Sequence, residues 1–284
     1  MSPALRTALL TALTLCCFAA NSILTRLALR GDGMDGLAFS VIRIAAGALM
    51  LALLLSRRSA GRRALAGDWP SALALVVYAA AFSVAYRSIP SGTGALILFG
   101  VVQVTMIGTG LVQGERAPWQ VWLGVLLSVA GLLVFLLPGL QRPPLAGSLL
   151  MLAAGIGWAV YSLRGRGNRD PLAATAGNFV RALPLALLPW LLVGEWALDA
   201  RGVACAIASG ALASGLGYAL WYTVLPALTA LRASLVQLAV PLLVSAFGLL
   251  FLDETAGARL LAGSALIVGG LALATLYRAR RAAG

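Results

Sequence analysis

"GVLLSVAGLLV" at residues 124–134 returns 139 residues later as "GSALIVGGLAL" at 263–273. Gly124, Leu127, Val129, Gly131 and Leu132 meet Gly263, Leu266, Val268, Gly270 and Leu271. Other pairs fall in the same order. "GE" at Gly114–Glu115 meets "DE" at Asp253–Glu254, "YRSIP" at 86–90 meets "YTVLP" at 222–226, and "FAANS" at 18–22 meets "WAVYS" at 158–162. Arg43 likewise meets Arg181. Each match is loose alone, but five in one order divide the chain into a first unit, 1–140, and a second, 141–284.

The composition says what kind of unit repeats. The chain has 284 residues, 61% hydrophobic and 11% charged. A soluble domain carries about 25% charge, and here apolar runs recur along the whole length. About 20 apolar residues cross a bilayer. Ten such spans can be drawn, at 5–25, 37–55, 70–87, 92–112, 118–137, 146–164, 172–193, 203–224, 233–251 and 258–277. The first could pass for a signal peptide, but it has a counterpart in the second unit.

The net charge of +12 comes from 21 arginines, with no lysine and no histidine. With ten spans and the N-terminus inside, 13 arginines fall in inside segments, six fall outside, and Arg43 and Arg181 lie within spans. That bias predicts a bacterial inner-membrane protein with both termini cytoplasmic. The basic balance is therefore an orientation signal, and nucleic acid is not an expected partner. Five spans per unit is an odd number, so the second unit enters the membrane from the opposite side. The expected fold is all-α, with ten transmembrane helices as two inverted five-helix repeats around a central cavity.

In each unit an aromatic lies late in the first helix, an arginine in the second, a "GE/DE" loop before the fifth, and a "G…G" pattern in the fifth. This arrangement resembles paired EamA-type domains of the drug/metabolite transporter superfamily, over about 5–277. Within it the chain is most similar to bacterial exporters of aromatic and other neutral amino acids. The resemblance implies a basket of helices that alternates between outward-open and inward-open states. The chain departs from ion-coupled members, since its predicted spans hold no carboxylate and no histidine.

A cavity for such substrates needs ring surface for an apolar side chain and neutral polar groups for its ends. Phe18, Asn21 and Ser22 on the first helix qualify, as do Tyr78 and Phe82, with Tyr86, in a stripe on the third. Trp158, Tyr161 and Ser162 on the sixth, Tyr218 and Trp221, with Tyr222, on the eighth, and Gln103 and Gln237 on the fourth and ninth complete the set. Packing or interface anchoring is the competing reading of these aromatics, chiefly for Tyr86 and Tyr222 near helix ends. Asn178 shares a helix face with Arg181. Arg43 alone could snorkel to the outer interface, but paired with Arg181, which belongs toward the cytoplasm, it is expected to support one gate or its packing, each arginine binding helix C-terminal carbonyls or loop groups near one mouth of the cavity. Direct binding of a substrate carboxylate is the lesser alternative. Gly124, Gly131, Gly263 and Gly270 allow close helix packing, within one protomer in preference to a dimer. Glu115 and Glu254 read as helix-end caps or surface ion pairs. Pro184, Pro189 and Pro241 are expected to kink the seventh and ninth helices.

Catalysis finds no support, because no span offers an acid–base pair and no Walker motif is present. Cys16, Cys17 and Cys205 have no metal-ligand spacing. No cofactor and no metal is expected. The expected function is export of small neutral metabolites, foremost aromatic and other apolar amino acids, by alternating access, as an uncoupled facilitator or with coupling through groups other than an acid or histidine relay. The partners are that small molecule and the lipid bilayer. Multidrug or other metabolite efflux is the alternative, and a structural membrane subunit the second one.

Overall fold

The computed structural model describes residues 2–30, 33–58, 65–114, 118–136 and 144–252, with short helical pieces between 262 and 273. The described residues form helices and no strands. The helices are α1 (Pro3–Leu29), α2 (Gly36–Ser56), α3 (Trp69–Ala85), α4 (Ser91–Val112), α5 (Trp119–Leu136), α6 (Leu145–Gly165), α7 (Pro171–Val193), α8 (Ala200–Ala208), α9 (Gly217–Val224), α10 (Ala230–Gln237) and α11 (Ala239–Phe251). A π-helical stretch, Ser209–Leu216, joins α8 to α9, so that Ala200–Ala227 is one span. A second composite span, Ala230–Phe251, holds α10 and α11. Seven spans of the described residues are long and apolar enough to cross a membrane, and α3 is a shorter apolar helix. The first nine predicted spans thus appear with their ends moved by a few residues. The tenth, 258–277, lies largely outside the described residues, as do Glu115, Glu254 and the proposed junction at 140.

Helix starts follow a simple rule. Asp35, Asp68, Asp170 and Asp199 are the N-caps of α2, α3, α7 and α8, each accepting a backbone N–H three residues on. A carboxylate there also faces the positive end of the helix dipole. Pro70 and Pro171 follow in the first turn, where a missing N–H costs nothing. Inside α7 the helix continues through Pro184 and Pro189. The break falls instead at Leu238, between α10 and α11. Pro241 has no N–H for the Gln237 carbonyl, so the ladder opens there.

The two halves of the chain interlock. α3 packs on α6, α2 on α7 and the π stretch, and α4 on α6. Gly124, Gly131, Gly263 and Gly270 are buried. A Cβ on Gly270 would overlap the Gly124 carbonyl and the Ser128 hydroxyl, so these backbones touch within one chain. Leu49, Leu53, Val104, Leu126 and Leu250 point outward, a surface that suits lipid and not water.

Candidate functional site

Phe18 lies at the centre of the bundle. Its ring meets Trp158 at 5.0 Å, Trp221 at 5.6 Å and Tyr218 at 5.9 Å, all edge-on. Trp158 in turn meets Tyr218 at 4.7 Å, Tyr78 at 5.0 Å and Tyr161 at 5.7 Å. Tyr78 and Phe82 stand one turn apart on α3, with ring centres 5.2 Å apart. Edge-to-face and tilted pairs at these distances are attractive beyond the area they bury. The rings come from α1, α3, α6 and α9, so the cluster joins both halves of the chain.

Most polar atoms in the cluster are paired, though the buried Tyr161 hydroxyl has no hydrogen-bond partner among the described residues. Trp158 Nε1 donates to Gln237 Oε1 at 2.6 Å, and Gln237 Nε2 donates to the Ala233 carbonyl at 2.9 Å. Trp221 Nε1 donates to Ser162 Oγ at 3.0 Å. Asn21 Nδ2 donates to the Tyr78 hydroxyl at 2.9 Å, and Tyr218 donates to the same hydroxyl at 3.1 Å. Of the residues expected to line a cavity, Phe18, Asn21, Ser22, Tyr78, Phe82, Trp158, Tyr161, Tyr218, Trp221 and Gln237 are buried, and all of these but Ser22 are joined by the ring contacts and hydrogen bonds above. Five of them, Phe18, Ser22, Tyr78, Phe82 and Trp158, line a narrow cleft with Leu98 and Phe99, whose free volume of about 10 Å³ is close to that of one water. Leu98 and Phe99 sit in an apolar run and carry no signal in the sequence. Gln103 faces elsewhere, donating to the Ser234 carbonyl. Tyr86 and Tyr222 are buried, so neither is an interface anchor.

Arg43 corrects an expectation. It does not reach an interface; it is 1% exposed, with its guanidinium 5.3 Å from the Tyr78 ring centre and 5.4 Å from that of Phe82. Its NH1 lies 3.5 Å from Asn21 Oδ1. Ser209 and Ser214 of the π stretch donate to the same oxygen, at 2.5 Å and 3.5 Å. Gly210 makes this approach possible, because a Cβ there would overlap the Arg43 carbonyl. Arg181, its expected mate, is elsewhere. It donates to the carbonyls of Ala66, at 2.8 Å, and Gly177, at 3.0 Å. Counted from the capping aspartates, Arg43 is eight residues into its helix and so is Asn178, while Arg181 is one turn further on.

The end of the bundle near Arg181 is clasped. Arg58 pairs with Asp170 at 2.7 Å and Arg164 with Asp68 at 3.0 Å, each bond crossing between halves. Asn178 accepts from the Asp68 N–H at 3.0 Å and lies 3.5 Å from the Tyr222 hydroxyl. Tyr222 donates to the Tyr161 carbonyl, which connects this end to the ring cluster. Gly67 has φ +77° and packs against Asn178, a position open to glycine. Burial pushes the Asp170 carboxyl up, but the Arg58 hydrogen bond, the Ala173 N–H and the Arg58 charge outweigh it and hold it below its usual value. Asp68 behaves alike, with burial opposed by the Ser71 N–H and hydroxyl and by Arg164. At the opposite end Arg26 donates to the Tyr86 carbonyl at 2.8 Å, and the Asp35 N–H to the Ala197 carbonyl at 2.9 Å. The ion pair there, Arg87–Glu195, is loose at 3.7 Å.

Residues 145–276 match the family model described as the EamA-like transporter family. A Pseudomonas aeruginosa protein of uncharacterized function is 51% identical over 99% of this chain and 98% of its own length. The chain belongs to the EamA-like transporter family. It is a multi-pass membrane protein and a transporter, not an enzyme. A probable amino-acid metabolite efflux pump of Salmonella typhimurium is 28% identical over 68% of this chain and 71% of its own. The threonine/homoserine exporter RhtA of Escherichia coli is 29% identical over 67% of this chain and 64% of its own. A solved crystal structure shares the fold at TM-score 0.73, with 21% identity, over 96% of this chain and 98% of that one.

Proposed function

We propose that this EamA-like transporter exports small neutral metabolites, foremost amino acids with aromatic or other apolar side chains, from the cytoplasm by alternating access. The observation that carries the reading is the ring and amide network at the bundle centre, built from both halves and surrounding a cleft. Its rings suit an apolar side chain, and its amides and hydroxyls suit polar ends without a buried acid. The amino-acid exporters among the relatives support the substrate class.

Ten helices in two inverted repeats, 1–140 and 141–284, remain our reading of the whole chain. The capping aspartates support it. Asp68 and Asp170 share one end and Asp35 and Asp199 the other, as inversion of the second and third helices of each unit requires. The family model's match to 145–276 alone supports a repeat near that boundary. The arginine bias supports an inner-membrane protein with both termini, and the clasped end, in the cytoplasm. The state is then closed inward, with the substrate site occluded. The glycine contacts within one chain favour a monomer.

Transport runs without proton coupling in this reading. Among the described residues, the aspartates cap helices at the two ends, and no carboxylate joins the central network. The test is counterflow in proteoliposomes with labelled neutral amino acids. Exchange of aromatic and apolar members is expected, and no exchange of any would overturn the reading. A several-fold rise in uptake on imposing a pH gradient alone would overturn the uncoupled mode.

A further inference from the structure

We propose that Arg43 is the anchor for the substrate's carboxylate, and that the site selects amino-acid-shaped acids by that group and not by their ammonium. The proposal rests on the exporter reading and goes beyond it by naming the recognised atom group.

The argument starts from a charge without a counter-ion. Arg43 is 1% exposed, and among the described residues no carboxylate lies within ion-pair reach of it. A guanidinium carries five N–H donors. Here they find one oxygen, Asn21 Oδ1, at a long 3.5 Å. Buried charge is costly unless paired and hydrogen-bonded. The ring faces of Tyr78 and Phe82 attract the cation but accept no conventional hydrogen bond.

The surroundings are equally short of acceptors. The Ser209 and Ser214 hydroxyls converge on the same Asn21 oxygen, so three donors share one acceptor. The π winding brings these serines, five residues apart, to one side of the span. A donor-rich, acceptor-poor site is built for an anion. A carboxylate would give the guanidinium its two-pronged partner and release Asn21 from its third donor. Tyr78 and Phe82 line the cleft and also lie against the guanidinium, so movement of these two rings would open the cleft toward Arg43. For an ammonium the same region offers one amide oxygen already shared by three donors, the neutral Ser209 and Ser214 hydroxyl oxygens and ring faces, with the Arg43 charge repelling it. It therefore contributes less to recognition than the carboxylate does.

Three compounds of one shape separate the groups: L-phenylalanine, 3-phenyllactate (hydroxyl in place of ammonium) and phenethylamine (no carboxylate). With wild-type protein in proteoliposomes, 3-phenyllactate should inhibit labelled phenylalanine counterflow within about fivefold of unlabelled phenylalanine. Phenethylamine should not inhibit at ten times that concentration. Arg43→Gln should lower exchange at least thirtyfold while keeping its detergent melting transition, and Arg43→Lys should recover part. Phenethylamine inhibiting as well as 3-phenyllactate would overturn the proposal, even if the variant fails to fold. So would Arg43→Gln exchanging at the wild-type rate. If no amino acid exchanges, the exporter reading fails and Arg43 is judged by melting shifts of the purified protein. A wild-type shift by 3-phenyllactate that Arg43→Gln loses would sustain the anchor, and no wild-type shift would overturn it.

Discussion

The Arg58→Gln/Arg164→Gln double variant should loosen the clasped end without disturbing its helix caps. Both substitutions leave Asp68 and Asp170 in place as caps of α3 and α7. Arg58 and Asp170 side chains are 32% and 40% exposed, and Arg164 and Asp68 are 41% and 46% exposed. Pairs this exposed are screened by water and contribute about 0.2–1 kcal/mol each. Arg164 also gives up its bond to Ser71 Oγ. The two losses together come to about 0.5–2 kcal/mol, which is about a 2- to 30-fold shift toward the open end at tenfold per 1.36 kcal/mol. A reporter cysteine at Thr175, which is buried near this end, reads the open fraction. With Cys16, Cys17 and Cys205 replaced by alanine, an impermeant maleimide should label it faster in the double variant by that factor. Glu195→Gln, at the other end, should leave the rate unchanged. A rise of less than twofold in the double variant would refute the idea that these pairs hold the end shut.

Gln237→Leu should cost about 1–3 kcal/mol in detergent melting, because the buried Trp158 indole N–H loses its acceptor. Adding Trp158→Phe should recover part of that loss, and strict additivity would contradict the pairing. Gly210→Ala should push the π stretch off α2, since its Cβ meets the Arg43 carbonyl, and counterflow should fall at least tenfold. Gly108→Ala, whose Cβ meets nothing, is the control that should leave counterflow unchanged, and equal rates in the two variants would count against the close approach. The labelling rate at position 175, divided by that of a free thiol at the same pH to remove the thiolate's own titration, should be flat between about pH 5.5 and 8. The Asp68 and Asp170 carboxyls are held below their usual value when folded. Their contribution is then present above the unfolded value of about 3.9 and is lost only as pH falls through the lower folded one. A steep change near neutrality would contradict this assignment.

The spans are legible in the sequence because each apolar run is bounded by polar loops, and nine of them fall where hydropathy puts them. The aromatic candidates are legible because rings and amides are conspicuous in such runs. The π stretch is not, since "SGALASGL" reads as an ordinary small-residue helix segment, and only packing against α2 gives it its winding. Arg43 is misplaced by sequence reasoning for a related reason. Distance along a helix suggests a snorkelling side chain, but the direction it takes depends on neighbouring helices. The cross-half ion pairs join residues about a hundred positions apart, a separation over which local pattern is silent. Pro184 and Pro189 stand inside α7, which runs through both, while Pro241 stands just after the break at Leu238.

Asp68 and Asp170 each serve two masters. One is the N-terminus of their own helix, which never leaves them; the other is an arginine from the opposing half. When the halves part, each carboxylate keeps its backbone N–H partners and swings out with its helix already solvated on its exposed side. Separation therefore strands no acid in an apolar place. The clasp behaves like a latch whose catch stays mounted on the door frame, and it can be opened and remade many times with little energy lost on either stroke.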